Sequence, residues 1–180
     1  MNEKALKTLE YNKIIDMLCE LAHSKMGKEL CASLLPSSDP ETIQKLQRQT
    51  TDALSRLLRK GSISFGGIHD IKESITRLKL GSFLNAIELL RISSNLDATL
   101  RIKAYGGYTG KDTGKEGEDM AEDSLTELFA GLEPLSPLNN EIKRCIISEE
   151  EIADDASPGL KSVRRAIRNV NEKLHNELGS

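Results

Sequence analysis

LEYNKIIDMLCELAHSKMGKELCASLLP, residues 9–36, is the stretch from which the rest of the chain is read. Leu6, Leu9, Ile14, Leu18 and Leu21 recur roughly at three- and four-residue steps, with a longer step between Leu9 and Ile14, the spacing of one face of an α-helix. The helical pattern covers residues 2–21 with a break near 8–11. Ser24 is placed to cap a second helix carrying Met26, Leu30, Leu34 and Leu35, and Pro36 stops it. This pair offers the most apolar surface of any helical segment, so it is expected to seed the core. Gly27 lies inside the second helix, where glycine costs up to ~1 kcal/mol relative to alanine. Close approach of another backbone or simple tolerance would account for it.

Working outward, Asp39-Pro40 is an N-cap followed by a first-turn proline. Ile43, Leu46, Ala53, Leu54, Leu57 and Leu58 mark one face of the helix that follows, and Gly61 ends it. An extended glycine-containing loop feeds a helix over 69–80 with Ile71, Ile75 and Leu78 inward, stopped by Gly81. Asn85 and Glu88 form a capping box for a helix from Ala86 to about Ala104. Residues 105–121 alternate glycine with Lys, Asp and Glu, and are expected to form a flexible loop. A short helix over 123–130 and one or two turns over 139–144 follow. Cys145–Ile147 and Ile152 flank an acidic turn, which predicts a small β-hairpin over 145–155. Ser157-Pro158 opens a last helix whose seam, Leu160, Val163, Ile167, Val170, Leu174 and Leu178, is close to a heptad repeat.

The 180 residues suit one domain with an appendage, and 38% hydrophobic and 29% charged residues are ordinary for a folded chain. Aromatics are only 3%, so Leu and Ile must fill the interior, which favours helix packing. A net charge of −3 excludes a chain-wide basic surface. Cys19, Cys31 and Cys145 lack framework spacing and read as reduced thiols in a cytoplasmic protein. No signal-peptide or membrane-spanning pattern is visible.

Chemistry-bearing constellations are few. Gly110-Lys111 and Gly114-Lys115 suggest a phosphate loop, but Tyr105 and Thr109 stand where the first glycine is required. Asp112 and Glu116 follow the lysines instead of Ser or Thr. Cys19, His23 and Cys31 lack a fourth ligand and read as packing residues, so no metal site is assigned. Glu149, Glu150, Glu151, Asp154 and Asp155 read as a solvated turn with favourable charge at a helix N-terminus. Lys161, Arg164, Arg165 and Arg168 lie away from the apolar seam of the last helix. Such a stripe can follow a phosphate backbone, or it can be a solvated face paired with acidic neighbours. No catalytic residue is identified.

Three motifs carry a family resemblance. Leu9-Glu10-Tyr11-x-Lys13-Ile14, with Ser24-x-x-Gly27-Lys28-Glu29 and Leu34-x-Pro36, is the first. Phe65-Gly66-Gly67-Ile68-x-Asp70-Ile71 is the second. Ile152-x-Asp154-x-Ala156-Ser157-Pro158-x-Leu160 with Val163-Arg164 is the third. In this order the chain resembles the opening of the second group of bacterial MutS-like proteins, the Smr-domain-bearing paralogues of mismatch-repair MutS. Glu150 stands where that family usually has a glycine, and residues 105–121 match no family motif.

The resemblance implies a mainly α, multi-helical MutS-core-like fold: a helical core over 1–144, the hairpin over 145–155 and the start of a lever helix over 156–180. Its seam, Leu160, Val163, Ile167, Val170 and Leu174, would pack on a returning helix. It further implies a several-fold longer protein with a clamp, an ATPase using ATP and Mg²⁺, a nuclease-like Smr domain and ATPase-mediated homodimerisation. The partners so implied are branched DNA or the ribosome, in recombination restraint and rescue of stalled ribosomes. The 180 residues alone carry neither ATPase nor nuclease motifs, hence no cofactor and no enzymatic activity, and are expected to be monomeric. The rival expectation is a standalone helical interaction module whose last helix forms a coiled coil between chains.

Overall fold

The computed structural model describes residues 3–107 and 123–178. Most of the glycine-rich loop expected over 105–121 lies outside the described residues. Among them are helices α1 (Glu3–Thr8), α2 (Tyr11–Leu21), α3 (Lys25–Ala32), α4 (Pro40–Lys60), α5 (Lys72–Lys79), α6 (Ala86–Gly106), α7 (Thr126–Ala130), α8 (Ser136–Cys145) and α9 (Pro158–Leu178). The mainly α expectation holds. The chain divides into one unit of residues 1–70 and 95–134 and a second of 71–94 and 135–180.

Local signals set the helix ends. Glu10 adopts a left-handed conformation (φ 53°) and separates α1 from α2. The Ser24 hydroxyl accepts from the Gly27 N–H at 3.0 Å and starts α3. Asp39 accepts from the Thr42 N–H at 3.1 Å ahead of Pro40. Gly61 (φ 78°) and Gly81 (φ 84°) take positive φ where α4 and the turn after α5 end, a conformation glycine adopts without Cβ strain. Asn85 and Glu88 exchange hydrogen bonds at 2.9 and 3.0 Å, so the capping box is present.

In the first unit, α2 and α3 form a hairpin closed by the Tyr11 hydroxyl on the Leu34 carbonyl (3.2 Å) and the Cys19 thiol on the Lys28 carbonyl (3.6 Å). This pair is not the core. Neither helix contains a buried residue; Leu21 is 74% exposed and Leu30 70%. A Cβ on Gly27 would lie 3.0 Å from the Ser24 hydroxyl, so its close neighbour is the cap rather than another backbone.

The interior of this unit lies along α6, where Leu96, Ala98 and Ile102 are buried, and against the inner face of α4. That face is polar. Leu46, Leu54, Leu57 and Leu58 of α4 are exposed, while Arg56 is 4% exposed. Arg56 makes a two-point ion pair with Asp123 (Nε–Oδ2 2.5 Å, Nη2–Oδ1 2.7 Å) and donates to the Gly106 carbonyl at 3.1 Å and to Thr126 at 3.2 Å. Its guanidinium lies 4.9 Å from the Phe129 ring centre. Asp52, one turn earlier, accepts from the Ser124 hydroxyl and N–H at 2.6 and 3.0 Å. Residues 123–130 are thereby fastened to α4. Gly106 makes this fit possible: a Cβ there would overlap Cβ and Cγ of Phe129. The second motif is tied to α6. Asn95 accepts from the His69 N–H and donates to its carbonyl (2.6 and 2.9 Å), and Arg101 donates to the Gly66 carbonyl at 2.9 Å.

In the second unit, Glu88 gathers the Asn85 N–H, the Ser74 hydroxyl and Arg77. These hydrogen bonds, led by the Asn85 N–H, hold its carboxyl at about 2. Ser93 donates to the buried Asn139 side chain at 2.6 Å, fixing α6 to α8. Ile142, Ile146 and Ala153 are buried. The β-hairpin expected over 145–155 is not formed. The described residues there show one antiparallel bridge, Ile146 with Ile152, and no strand. Helix α8 runs through Cys145 and leaves too few extended residues for a ladder. The turn 148–151 is closed by hydrogen bonds between Ser148 and Glu151. Glu150 is not among the described residues of positive φ, so the turn needs no glycine at that place.

Removing a partner from a buried ion pair strands the other charge. Arg56→Ala is expected to lower the unfolding free energy by about 3–5 kcal/mol, read by urea denaturation. Arg56 hydrogen bonds hold the Asp123 carboxyl down to about 2. Its stabilising contribution is therefore complete above the unfolded carboxylate range and disappears as pH falls towards 2. Thermal melts from pH 7 to 2 should show a steeper acid loss for the native chain than for Asp123→Asn; parallel profiles would contradict the pair.

Candidate functional site on the last helix

The third motif occupies the entry to α9. The Ser157 hydroxyl accepts from the Leu160 N–H at 3.2 Å and caps the helix. Asp154 receives Arg164 on one carboxylate oxygen (Nη1–Oδ1 2.5 Å) and Arg168 on the other (Nη1–Oδ2 2.8 Å). Arg164 also donates to the Ile152 carbonyl at 2.8 Å. Hydrogen bonds from Arg164, then Arg168, hold the Asp154 carboxyl below its ordinary range. From α8, Arg144 donates to the Asp155 and Ala156 carbonyls at 2.8 and 3.3 Å.

The four basic residues of the stripe are thus not equivalent. Arg164 and Arg168 are engaged by Asp154, whereas Lys161 and Arg165 are exposed and make no ion pair with a described residue. Two exposed cations one turn apart are fewer than an extended track along a phosphate backbone would need.

On the apolar side, Leu160 is half-buried, while Val163, Ile167, Val170 and Leu174 are 56%, 54%, 55% and 50% exposed. Nothing in the described chain covers this seam. The acidic turn supplies Asp154 to the arginines rather than a cation cage, and no group of three or more His, Cys, Asp or Glu among the described residues could hold a metal ion. Cys19 carries a thiol pushed up by desolvation, ahead of the nearby Cys31, as expected of a packed thiol rather than a nucleophile. No helix among the described residues is long and apolar enough to cross a membrane.

Asp154 stands in the sequence as a position of the third motif and one of a run of acids; nothing local tells which carboxylate reaches back to α9. The Arg56–Asp123 pair was missed altogether, its partners standing 67 positions apart. The one available signal was an arginine between Ala53 and Lys60 on a single helical stripe. Arg164→Ala should lower stability by about 0.5–1 kcal/mol, the range of a partly exposed pair. Lys161→Ala and Arg165→Ala should stay within about 0.5 kcal/mol of the native chain in the same denaturation series.

No family model matches the chain. Over 180 residues it is 61% identical to the Endonuclease MutS2 of Lachnoclostridium phytofermentans. Over 178 residues it is 51% identical to the Endonuclease MutS2 of Agathobacter rectalis and 42% identical to that of Acetivibrio thermocellus. These matches take in 99–100% of the chain and 22% of each relative, so the chain spans about a fifth of the length of the curated relatives it matches. The three motifs, the helical fold and this identity agree: the chain is, along its whole length, a homologue of a part of the second MutS group.

Proposed function

We propose that the chain is a core-and-lever-base scaffold of a MutS2-type protein. Its role is mechanical: α9 is the first stretch of a lever, and nucleotide-driven motion passes through it between an ATPase and a DNA clamp elsewhere in the protein. The observation that carries this reading is the exposed seam of α9, a 21-residue helix with half-exposed apolar residues at 163, 167, 170 and 174. That spacing suits a second helix laid alongside. We assign the place to a returning helix of the same protein, because each relative is more than four times as long as the matched segment. The exposed leucines of α4 fit the same reading.

On this proposal, the catalytic work belongs to other parts of the protein. ATP with Mg²⁺ serves the ATPase, and hydrolytic cleavage of nucleic acid serves the nuclease-like part. Branched DNA or the ribosome is the target, and homodimerisation proceeds through the ATPase. The whole acts in the cytoplasm, in restraint of recombination or rescue of stalled ribosomes. Lys161 and Arg165 contribute weak electrostatic contact at most, since Asp154 occupies the two other arginines.

Sedimentation of the 180-residue chain separates this from the rival reading, in which the same seam pairs two chains. The scaffold reading expects a monomer whose state is unchanged by Val163→Asp or Ile167→Asp, and no ATP hydrolysis. A tight homodimer dissolved by either substitution, or ATP turnover by the chain itself, would overturn it. Salt-dependent binding to branched DNA should weaken only slightly when Lys161 and Arg165 become Glu.

A further inference from the structure

The passage from α8 to α9, residues 146–157, contains no strand: its backbone pairing is one bridge, a tight turn over 147–151 and the Ala156 N–H on the Ala153 carbonyl. A connection of that kind would ordinarily let the following helix swing. Here three arginines grip it. Arg144 holds the Asp155 and Ala156 carbonyls from the α8 side. Arg164 and Arg168 hold Asp154 from the α9 side, one on each carboxylate oxygen, and Arg164 also holds the Ile152 carbonyl. Asp154 reaches these two arginines four positions apart, which is about 6 Å along the helix axis. One anchor would leave a pivot. Two anchors separated along the axis, with the Ser157 cap at the base, also fix the direction of the helix and its rotation about its axis.

We infer that Asp154 is a positioning residue, the centre of a two-point clasp that sets the direction of α9 at its root and makes α8 and α9 move as one body. The partners are partly exposed, 48% for Asp154, 35% for Arg164 and 60% for Arg168. Such pairs contribute little to global stability but define geometry when a carboxylate is shared between two guanidiniums. Losing the clasp therefore frees the orientation of α9 while the buried Ile142, Ile146 and Ala153 keep the base folded. This rests on reading α9 as the root of a lever, since only then does its direction carry motion.

The test is a pulsed electron paramagnetic resonance distance measurement on the full 180-residue chain. Nitroxides are attached through p-acetylphenylalanine at positions 140 and 171, which leaves the three native cysteines intact. The native chain is expected to give one narrow distance peak. Asp154→Ala, and independently the Arg164→Gln/Arg168→Gln double variant, should lose that peak to a broad distribution with the far-ultraviolet circular dichroism of the native chain. The Lys161→Gln/Arg165→Gln variant should keep the peak. A narrow, unshifted peak in either clasp variant, or equal broadening in the Lys161/Arg165 control, would overturn the inference. In that event the lever reading still stands on the sedimentation result, because the distance measurement reports only the root of the helix; a homodimer there would remove the lever reading and leave the clasp.

Discussion

A buried arginine governs the first unit. Burying a guanidinium is unfavourable unless its donors are used and its charge is met. Arg56 satisfies both demands through Asp123, Thr126 and the Gly106 carbonyl, with the Phe129 ring against its face. Those partners come from the end of α6 and from residues 123–129. Because its geometry is met only when all of them are in place, the pair does more than add stability. It decides where residues 123–130 sit on α4, and Gly106 exists as glycine because Phe129 takes the space a side chain would need. An apolar contact would tolerate sliding of residues 123–130 along α4; two parallel N–H···O bonds do not.

The second unit follows the same logic with less burial. Glu88 collects a backbone N–H, a hydroxyl and a guanidinium, and thereby starts α6 and fixes α5 to it. Asp154 collects two guanidiniums and orients α9. In each case one carboxylate joins elements that pack few apolar side chains together. A chain with 3% aromatic residues and much of its leucine content at the surface has to define its geometry by such polar joints. Among the described residues, the buried apolar side chains are Leu96, Ala98, Ile102, Ile142, Ile146 and Ala153.

This division explains what was legible in the residues. Features set by near neighbours were legible: the Ser24 and Asp39 caps, the Asn85–Glu88 box, the glycine ends at 61 and 81, and the break at Glu10. Each depends on one residue and the turn beside it. Arg56–Asp123 and Asp154–Arg168 were not legible, since the sequence gives their charges but not the fold that brings them together. The hairpin failed for a related reason. Helix α8 runs on through Cys145, and what is left of the short apolar run pairs in a single bridge, Ile146 with Ile152.

The periodicity of residues 9–36 and of α4 carries a more general lesson. Amphipathic spacing reports that a helix has an apolar face; it does not report whether the same stretch of chain supplies the cover. In α4 the leucines at 46, 54, 57 and 58 do mark a face, and that face is exposed. The inward side is the stripe of Ala53, Arg56 and Lys60. A helix whose polar side is committed within the chain and whose apolar side is open has its specificity and its adhesive surface on opposite sides. The same is true of α9, where Arg164 and Arg168 fix the helix to its own base while Val163, Ile167, Val170 and Leu174 face away. In both helices the polar joints set the direction, and the apolar faces are left exposed among the described residues.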